Sequence, residues 1–220
     1  WDFEASSALK ILAEHKARIV FISYPNNPTG NCFSEQEIQK VIEQFEGVVV
    51  LDEAYHDFSG KTFLKQMEKH NNLVILRSLS KIGLAGLRVG YGIFPVMLAE
   101  QVNKVRLPYN SNSISQWVAN ELLNDFTPVQ NQIHSIVEER DRLMDELSKL
   151  PGITAYPSNS NFILFRASKD GEKVFNKLKA NGTLLRNLGS HPRLKNCLRV
   201  TIGTKQENDQ FLSQLRKAAS

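Results

Sequence analysis

Three short apolar runs, Ile19-Val-Phe-Ile22, Val48-Val-Val-Leu51 and Leu73-Val-Ile-Leu76, restrict this chain to few architectures. Each is too short for a buried helix and is apolar at every position, the pattern of strands covered on both faces of a parallel sheet. Between the first two, Ser34 and Glu37 read as a capping box, and Ile38, Val41, Ile42 and Phe45 follow at helical spacing. A helix over about 35–45 is therefore predicted, with Gly47 as its stop. Strand, helix and strand in this order imply a right-handed crossover onto a parallel sheet. Residues 5–16 read as an amphipathic helix before it, and Val89-Gly-Tyr-Gly-Ile-Phe94 as a further strand after it.

Beyond residue 95 the pattern changes. Helices are predicted over 96–105, 114–126 and 128–149, the last through Ile133, Ile136, Val137, Leu143 and Leu147 until Pro151-Gly152 ends it. A helix of that length spans about 30 Å, enough to join two domains. Strands near 153–156, 162–166 and 197–202, with helices near 170–180 and 205–218, make a smaller α+β unit. The expected division is 1–127 for a partial large domain and 128–220 for a small domain that includes the long helix.

Composition excludes several classes. The net charge of +4 is spread without a block of like charges, so no nucleic-acid arm is indicated, and no apolar run approaches the ~18 residues of a membrane span. Cys32 and Cys197 stand far apart without metal-ligand spacing, so neither a disulfide framework nor a metal site is indicated and a cytoplasmic setting fits.

Each of the three apolar runs closes on a polar cluster: Ser23-Tyr-Pro-Asn-Asn-Pro-Thr-Gly30, Asp52-Glu-Ala-Tyr55, and Ser78-Leu-Ser-Lys81-Ile-Gly-Leu-Ala-Gly-Leu-Arg88. Ligands of open α/β sheets gather outside the carboxyl ends of the strands, where these clusters fall. Singly, each residue has an ordinary use: Asp52 can cap a helix, Tyr55 can be core, Asn27 can shape a turn and Arg88 can be a surface cation. Together they match the needs of a carbonyl-bearing pyridine cofactor. A lysine forms a Schiff base with the carbonyl, and an aspartate keeps a ring nitrogen protonated. Tyrosine and asparagine can donate to a phenolate oxygen, while Ser78, Ser80 and Arg88 can cradle a phosphate.

These three motifs, with Cys197-Leu-Arg-Val-Thr-Ile-Gly-Thr204, resemble the successive signatures of fold-type I pyridoxal-phosphate aminotransferases of classes I and II, and within them the histidinol-phosphate aminotransferases. The resemblance covers essentially the whole chain, which looks like the carboxyl-terminal portion of such an enzyme. It implies the remainder of a mainly parallel-sheet, pyridoxal 5'-phosphate-binding large domain followed by a small α+β domain. It further implies that Lys81 forms the aldimine and carries the proton between the substrate's α-carbon and the cofactor's C4′. Asp52 would pair with the pyridine nitrogen, Tyr55 and Asn27 with the phenolate oxygen, and Arg88, Ser78 and Ser80 with the phosphate. Arg199 would bind an anionic group of the substrate, Arg186 is a second candidate for such a group, and Asn161 would line the same pocket.

The implied reaction moves an amino group between glutamate/2-oxoglutarate and histidinol phosphate/imidazole-acetol phosphate, in histidine biosynthesis. The implied partners are such small molecules and a second copy of the full-length protein, with no nucleic acid or membrane. A related decarboxylase of a phosphorylated amino acid such as phosphothreonine, and a non-catalytic cofactor-sensing module, are the alternatives. The resemblance also implies a cis bond at Asn27-Pro28. Lys81 and Arg88 stand closer than in many members, which requires a tighter loop.

Overall fold

The computed structural model describes residues 1–219. Two units are formed, one from residues 1–26 and 32–131, the other from residues 27–31 and from 132 onward. The first contains α1 (Ala5–Glu14), β1 (Ile19–Ser23), α2 (Glu35–Gln44), β2 (Val48–Asp52), α3 (His56–Ser59), β3 (Leu73–Ser78), β4 (Gly90–Ile93), α4 (Val96–Val105) and α5 (Ser113–Asn124). Its sheet has the order β1-β2-β3-β4. The first three strands are parallel and β4 returns antiparallel to β3. That reversal follows from length: the 79–89 connection is too short for the covering crossover that a parallel neighbour needs. β2 and β3 are buried on both faces as expected, whereas β1, expected to be covered likewise, is an edge strand that exposes Ile19 and Phe21.

Alternate strand positions supply the buried face of this sheet. Ile22, Val49, Leu51, Leu73 and Ile75 pack with Ile38, Val41 and Ile42 of α2 and Ala5 of α1. Ser34 caps α2 as expected, accepting the Glu37 N–H at 3.4 Å. The reciprocal half of the capping box is replaced. The Glu37 carboxylate accepts the Ala5 N–H at 2.7 Å, and the Ser34 N–H turns to Asp2 at 3.3 Å. Glu37 thereby satisfies an otherwise orphaned donor in the first turn of α1 and ties that helix to α2.

The long helix α6 (Thr127–Ser148) begins in the first unit and continues into the second. There β5 (Ile153–Ala155), β6 (Phe162–Ala167), α7 (Gly171–Ala180), β7 (Arg186–Asn187), β8 (Cys197–Thr201) and α8 (Lys205–Ala219) follow. Their antiparallel sheet has the order β5-β6-β8-β7, and β7 is an element that the sequence pattern does not announce. One face is a single core of Ile163, Phe165, Leu198 and Val200 against α6, α7 and α8, and the other buries Leu164 with Leu194 and Cys197. Asn27-Pro28 is cis as the resemblance implies, and Tyr24-Pro25 is cis as well. Among the described residues no helix is long and apolar enough to cross a membrane.

Candidate functional site

The first unit brings six of the singled-out residues to one end of its sheet. Strand register sets their level: Ser23 pairs with Asp52, and Asp52 with Leu76, so the carboxyl ends of β1, β2 and β3 finish side by side. Asp52 is the last residue of β2 and is half-buried. Its carboxylate accepts the Ala54 N–H at 3.0 Å, which bends the chain toward Tyr55, the buried N-cap residue of α3. At the end of β3, the Ser78 hydroxyl accepts the Ser80 N–H at 3.1 Å and lies 2.6 Å from the Ser80 hydroxyl. That cap starts a short 3-10 turn over Leu79–Lys81 and presents Lys81, whose Nζ stands 5.5 Å from the centre of the Tyr55 ring.

The segment from Lys81 to Arg88 is folded tightly. The Leu84 N–H donates to Leu79 O at 3.3 Å, and the Leu79 N–H donates to Val89 O at 3.2 Å. Gly83 and Arg88 take left-handed backbone angles, φ 97° and 56°. A glycine adopts that region freely, whereas an arginine is held there by its surroundings. Arg88 is exposed, precedes β4 and donates to Ala85 O at 3.5 Å; the pairing of Ser78 with Gly90 keeps it at the serine end of the sheet.

This donor set fits pyridoxal phosphate on chemical grounds. It offers a carboxylate for a protonated ring nitrogen, an amine for a carbonyl, a phenol beside that amine, and two adjacent hydroxyls with a guanidinium for a phosphate. The cysteines are poor nucleophiles by comparison. Burial pushes the Cys32 thiol up to about 11 and raises that of Cys197, and both cysteines are free.

Four further residues lie in the second unit, on or beside β6, β7 and β8. Arg199 of β8 stands directly opposite Arg186 of β7 and opposite Leu164 of β6. Directly paired residues share a face, so both arginines belong to the same face of this sheet. Arg199 also stacks on Phe162, 4.5 Å from guanidinium carbon to ring centre, and donates from Nη1 to Asn27 Oδ1. Asn161 precedes β6 and its carbonyl accepts the Ile202 N–H at 2.9 Å. Asn27 belongs here because residues 27–31 are bound to the 158–162 segment. Gly30 O accepts the Asn159 N–H at 2.7 Å, and a Cβ on Gly30 would come within 2.6 Å of Ser158 Oγ. The engagement of Asn27 by Arg199 is an addition to its expected use as a donor.

Two features escape sequence reasoning. Phe162 forms the platform for Arg199, and its signal is its place beside Asn161. Glu53, between Asp52 and Tyr55, is fully buried and paired with Arg77 at 2.9 Å; a charged residue ending the apolar run of β3 is the only hint of it.

Comparison with known proteins agrees with this chemistry. The family described as aminotransferase class I and II matches residues 2–215. Histidinol-phosphate aminotransferase 2 of Nitrosococcus oceani is 43% identical over 98% of this chain, and histidinol-phosphate aminotransferase of Neisseria gonorrhoeae is 42% identical over 96%. This chain spans only 61% and 59% of those two relatives' lengths. Among solved structures, the histidinol-phosphate aminotransferase of Clostridium acetobutylicum superimposes with a TM-score of 0.88 at 24% identity, over 96% of this chain and 67% of that one. That of Sinorhizobium meliloti, in complex with pyridoxal-5'-phosphate, gives 0.85 at 24% identity over 98% and 61%. At such identities these two likenesses establish a shared fold, while the match over nearly all of this sequence establishes kinship. The chain belongs to the class I and II aminotransferase family.

Proposed function

We propose that the full-length protein is a pyridoxal-phosphate-dependent aminotransferase that exchanges an amino group between glutamate and a phosphorylated keto compound such as imidazole-acetol phosphate, in histidine biosynthesis. The observation that carries this reading is the meeting of Lys81 with Tyr55 beside Asp52, at level strand ends. When bound, pyridoxal phosphate supplies an electron sink that stabilises negative charge on the substrate's α-carbon. Asp52 would hold the ring nitrogen as a cation, and Tyr55 with Asn27 would donate to the ring oxygen. Ser78, Ser80 and Arg88 would hold the phosphate. The Lys81 amine would move the proton from the substrate's α-carbon to the adjoining position, a transfer that needs the amine within hydrogen-bond reach of both atoms.

The two arginines support substrates that carry anionic groups, the two carboxylates of glutamate and the phosphate of the keto compound. Arg199, braced by Phe162 and Asn27, is suited to a carboxylate or phosphate, and its neighbour Arg186 to the second anionic group. Asn161 would line that pocket. The proposed setting is the cytoplasm, consistent with two free cysteines. The proposed assembly is a homodimer, consistent with exposed Met97 and Trp117 on α4 and α5.

Borohydride reduction of the full-length protein loaded with pyridoxal phosphate tests the mechanism. A pyridoxyl adduct is expected on the peptide that carries Lys81, and an adduct on a different lysine, or none, overturns the reading. Release of carbon dioxide from a phosphorylated amino acid without amino transfer would replace it with a decarboxylase.

A further inference from the structure

Asp52 and Tyr55 on one loop, and Lys81 on the next, must be held at a fixed separation. The hydrogen bonds Asp52 to Ala54 and Ser78 to Ser80 are each local to their own loop, so neither sets that separation. We propose that Glu53 is the positioning residue that does, by clamping the Asp52–Tyr55 loop to the end of β3. This rests on the roles of Asp52, Tyr55 and Lys81 proposed above.

Extended backbone sends neighbouring side chains to opposite faces, so Glu53 leaves Asp52 facing the site and itself turns behind it. It is fully buried. Its N–H donates to Leu76 O at 2.8 Å, and its carboxylate accepts Arg77 Nε at 3.2 Å and Nη2 at 2.9 Å. Main chain and side chain of one residue thus grip two consecutive residues of β3, immediately before Ser78 and the turn that carries Lys81. The far side of the carboxylate is closed by the Phe63 N–H at 2.8 Å and the Thr62 hydroxyl at 2.8 and 3.0 Å; the Arg77 Nη2 also donates to the Thr62 hydroxyl at 2.9 Å. His56 completes the surroundings, with Nδ1 3.1 Å from Glu53 O.

The energetics favour placement over stability. Desolvation of a buried ion pair often cancels its attraction, and a neutral pair of like size is commonly as stable. What such a pair retains is directionality. Two guanidinium N–H groups converging on one charged oxygen, Oε2, fix distance and angle more tightly than apolar packing does. Removing it should therefore loosen the relation between the two loops while the hydrogen bonds internal to each remain.

The test compares full-length holoenzymes by steady-state kinetics and by the induced circular dichroism of the cofactor's visible band, which reports how the ring is held. In Glu53→Gln one acceptor oxygen remains where two were used, so an amide N–H faces either Arg77 or the Phe63 N–H, and Arg77 loses its counter-charge. We expect kcat to fall about 10- to 100-fold, as misplacement of reacting groups does, KM for glutamate to change little, and the induced dichroism to weaken. The double variant Glu53→Gln/Arg77→Met, which removes the stranded cation, should regain the wild-type melting temperature while kcat and dichroism stay low. Recovery of all three would make the pair merely structural and overturn the proposal, as would wild-type kcat and dichroism in Glu53→Gln. If Glu53→Gln does not fold, Thr62→Val decides: it removes one exposed hydroxyl donor, and weaker dichroism with lower kcat supports the clamp while wild-type values overturn it. Borohydride mapping of the wild type separates the two layers. With the adduct on Lys81 the variants judge Glu53 alone; without it the roles of Asp52, Tyr55 and Lys81 fall, and the clamp falls with them.

Discussion

The two sheets of this chain solve burial differently. In the second unit β6 and β8 are covered on both faces, with Ile163, Leu164, Phe165 and Leu198 sealed from solvent. In the first, the central strands β2 and β3 are likewise buried on both faces, but Phe21 of the edge strand β1 is 68% exposed and Tyr91 of the edge strand β4 is 40% exposed. An open edge with apolar side chains is normally covered, because unpaired strands invite association. The difference also divides the chemistry. The open sheet carries the lysine, carboxylate and hydroxyl groups at its strand ends, and the closed sheet carries the two arginines proposed to bind anions.

The sharpest way to break this division is to remove one group from each side in the full-length protein. Lys81→Ala should lower kcat by about 10⁴-fold or more, since the proposed covalent anchor and proton carrier would both be lost. A loss of less than tenfold in single-turnover assays would move the chemistry elsewhere. Arg199→Ala should lower kcat/KM by roughly 100-fold, about 3 kcal/mol of charged hydrogen bonding. An unchanged value would remove β8 from substrate recognition.

Stability sharpens the contrast in burial. Leu164→Ala should cost about 3 kcal/mol in urea unfolding of this chain, whereas Phe21→Ser should stay within about 0.5 kcal/mol. Equal costs would mean that the exposed face of β1 is covered in solution. The smallest expected effect is in acid. The Ala5 N–H and then Lys40 hold Glu37 below its ordinary value of 4.5 in the first unit, and Arg142 does the same for Glu139 in the second. Carboxyls depressed on folding contribute stability that is full above 4.5 and is lost as pH falls through the folded values. Glu37→Gln should therefore flatten the decline of α1 helicity below pH 4.5, followed by circular dichroism, with little change at neutral pH.

How much of this was readable from residues alone varied with range. The apolar runs and helical spacings gave nearly every element, because burial on both faces leaves an unmistakable pattern in Val48–Leu51 and Leu73–Leu76. Six candidate residues were readable from the strand ends where they collect. β7 was not, since two residues carry no periodicity and its pairing depends on β8. The partner of Glu37 was also hidden: Ser34 and Glu37 satisfy the local rule, yet an N–H of α1, 32 residues away, competes better for the carboxylate. The Glu53–Arg77 pair is of the same kind, because two charges far apart in sequence announce nothing until the sheet brings their strands together.

The shortness of β7 has an evolutionary consequence. Arg186 sits on an edge strand with a single neighbour, outside the core of its unit and exposed. A replacement there disturbs no packed side chain and no strand beyond β8, so its cost to folding is small. If Arg186 binds substrate as proposed, selection can exchange the group at this position, and with it the charge that is welcomed, while the residues around Lys81 stay as they are. Diversification of substrate choice within such a scaffold would begin at its least buried strand.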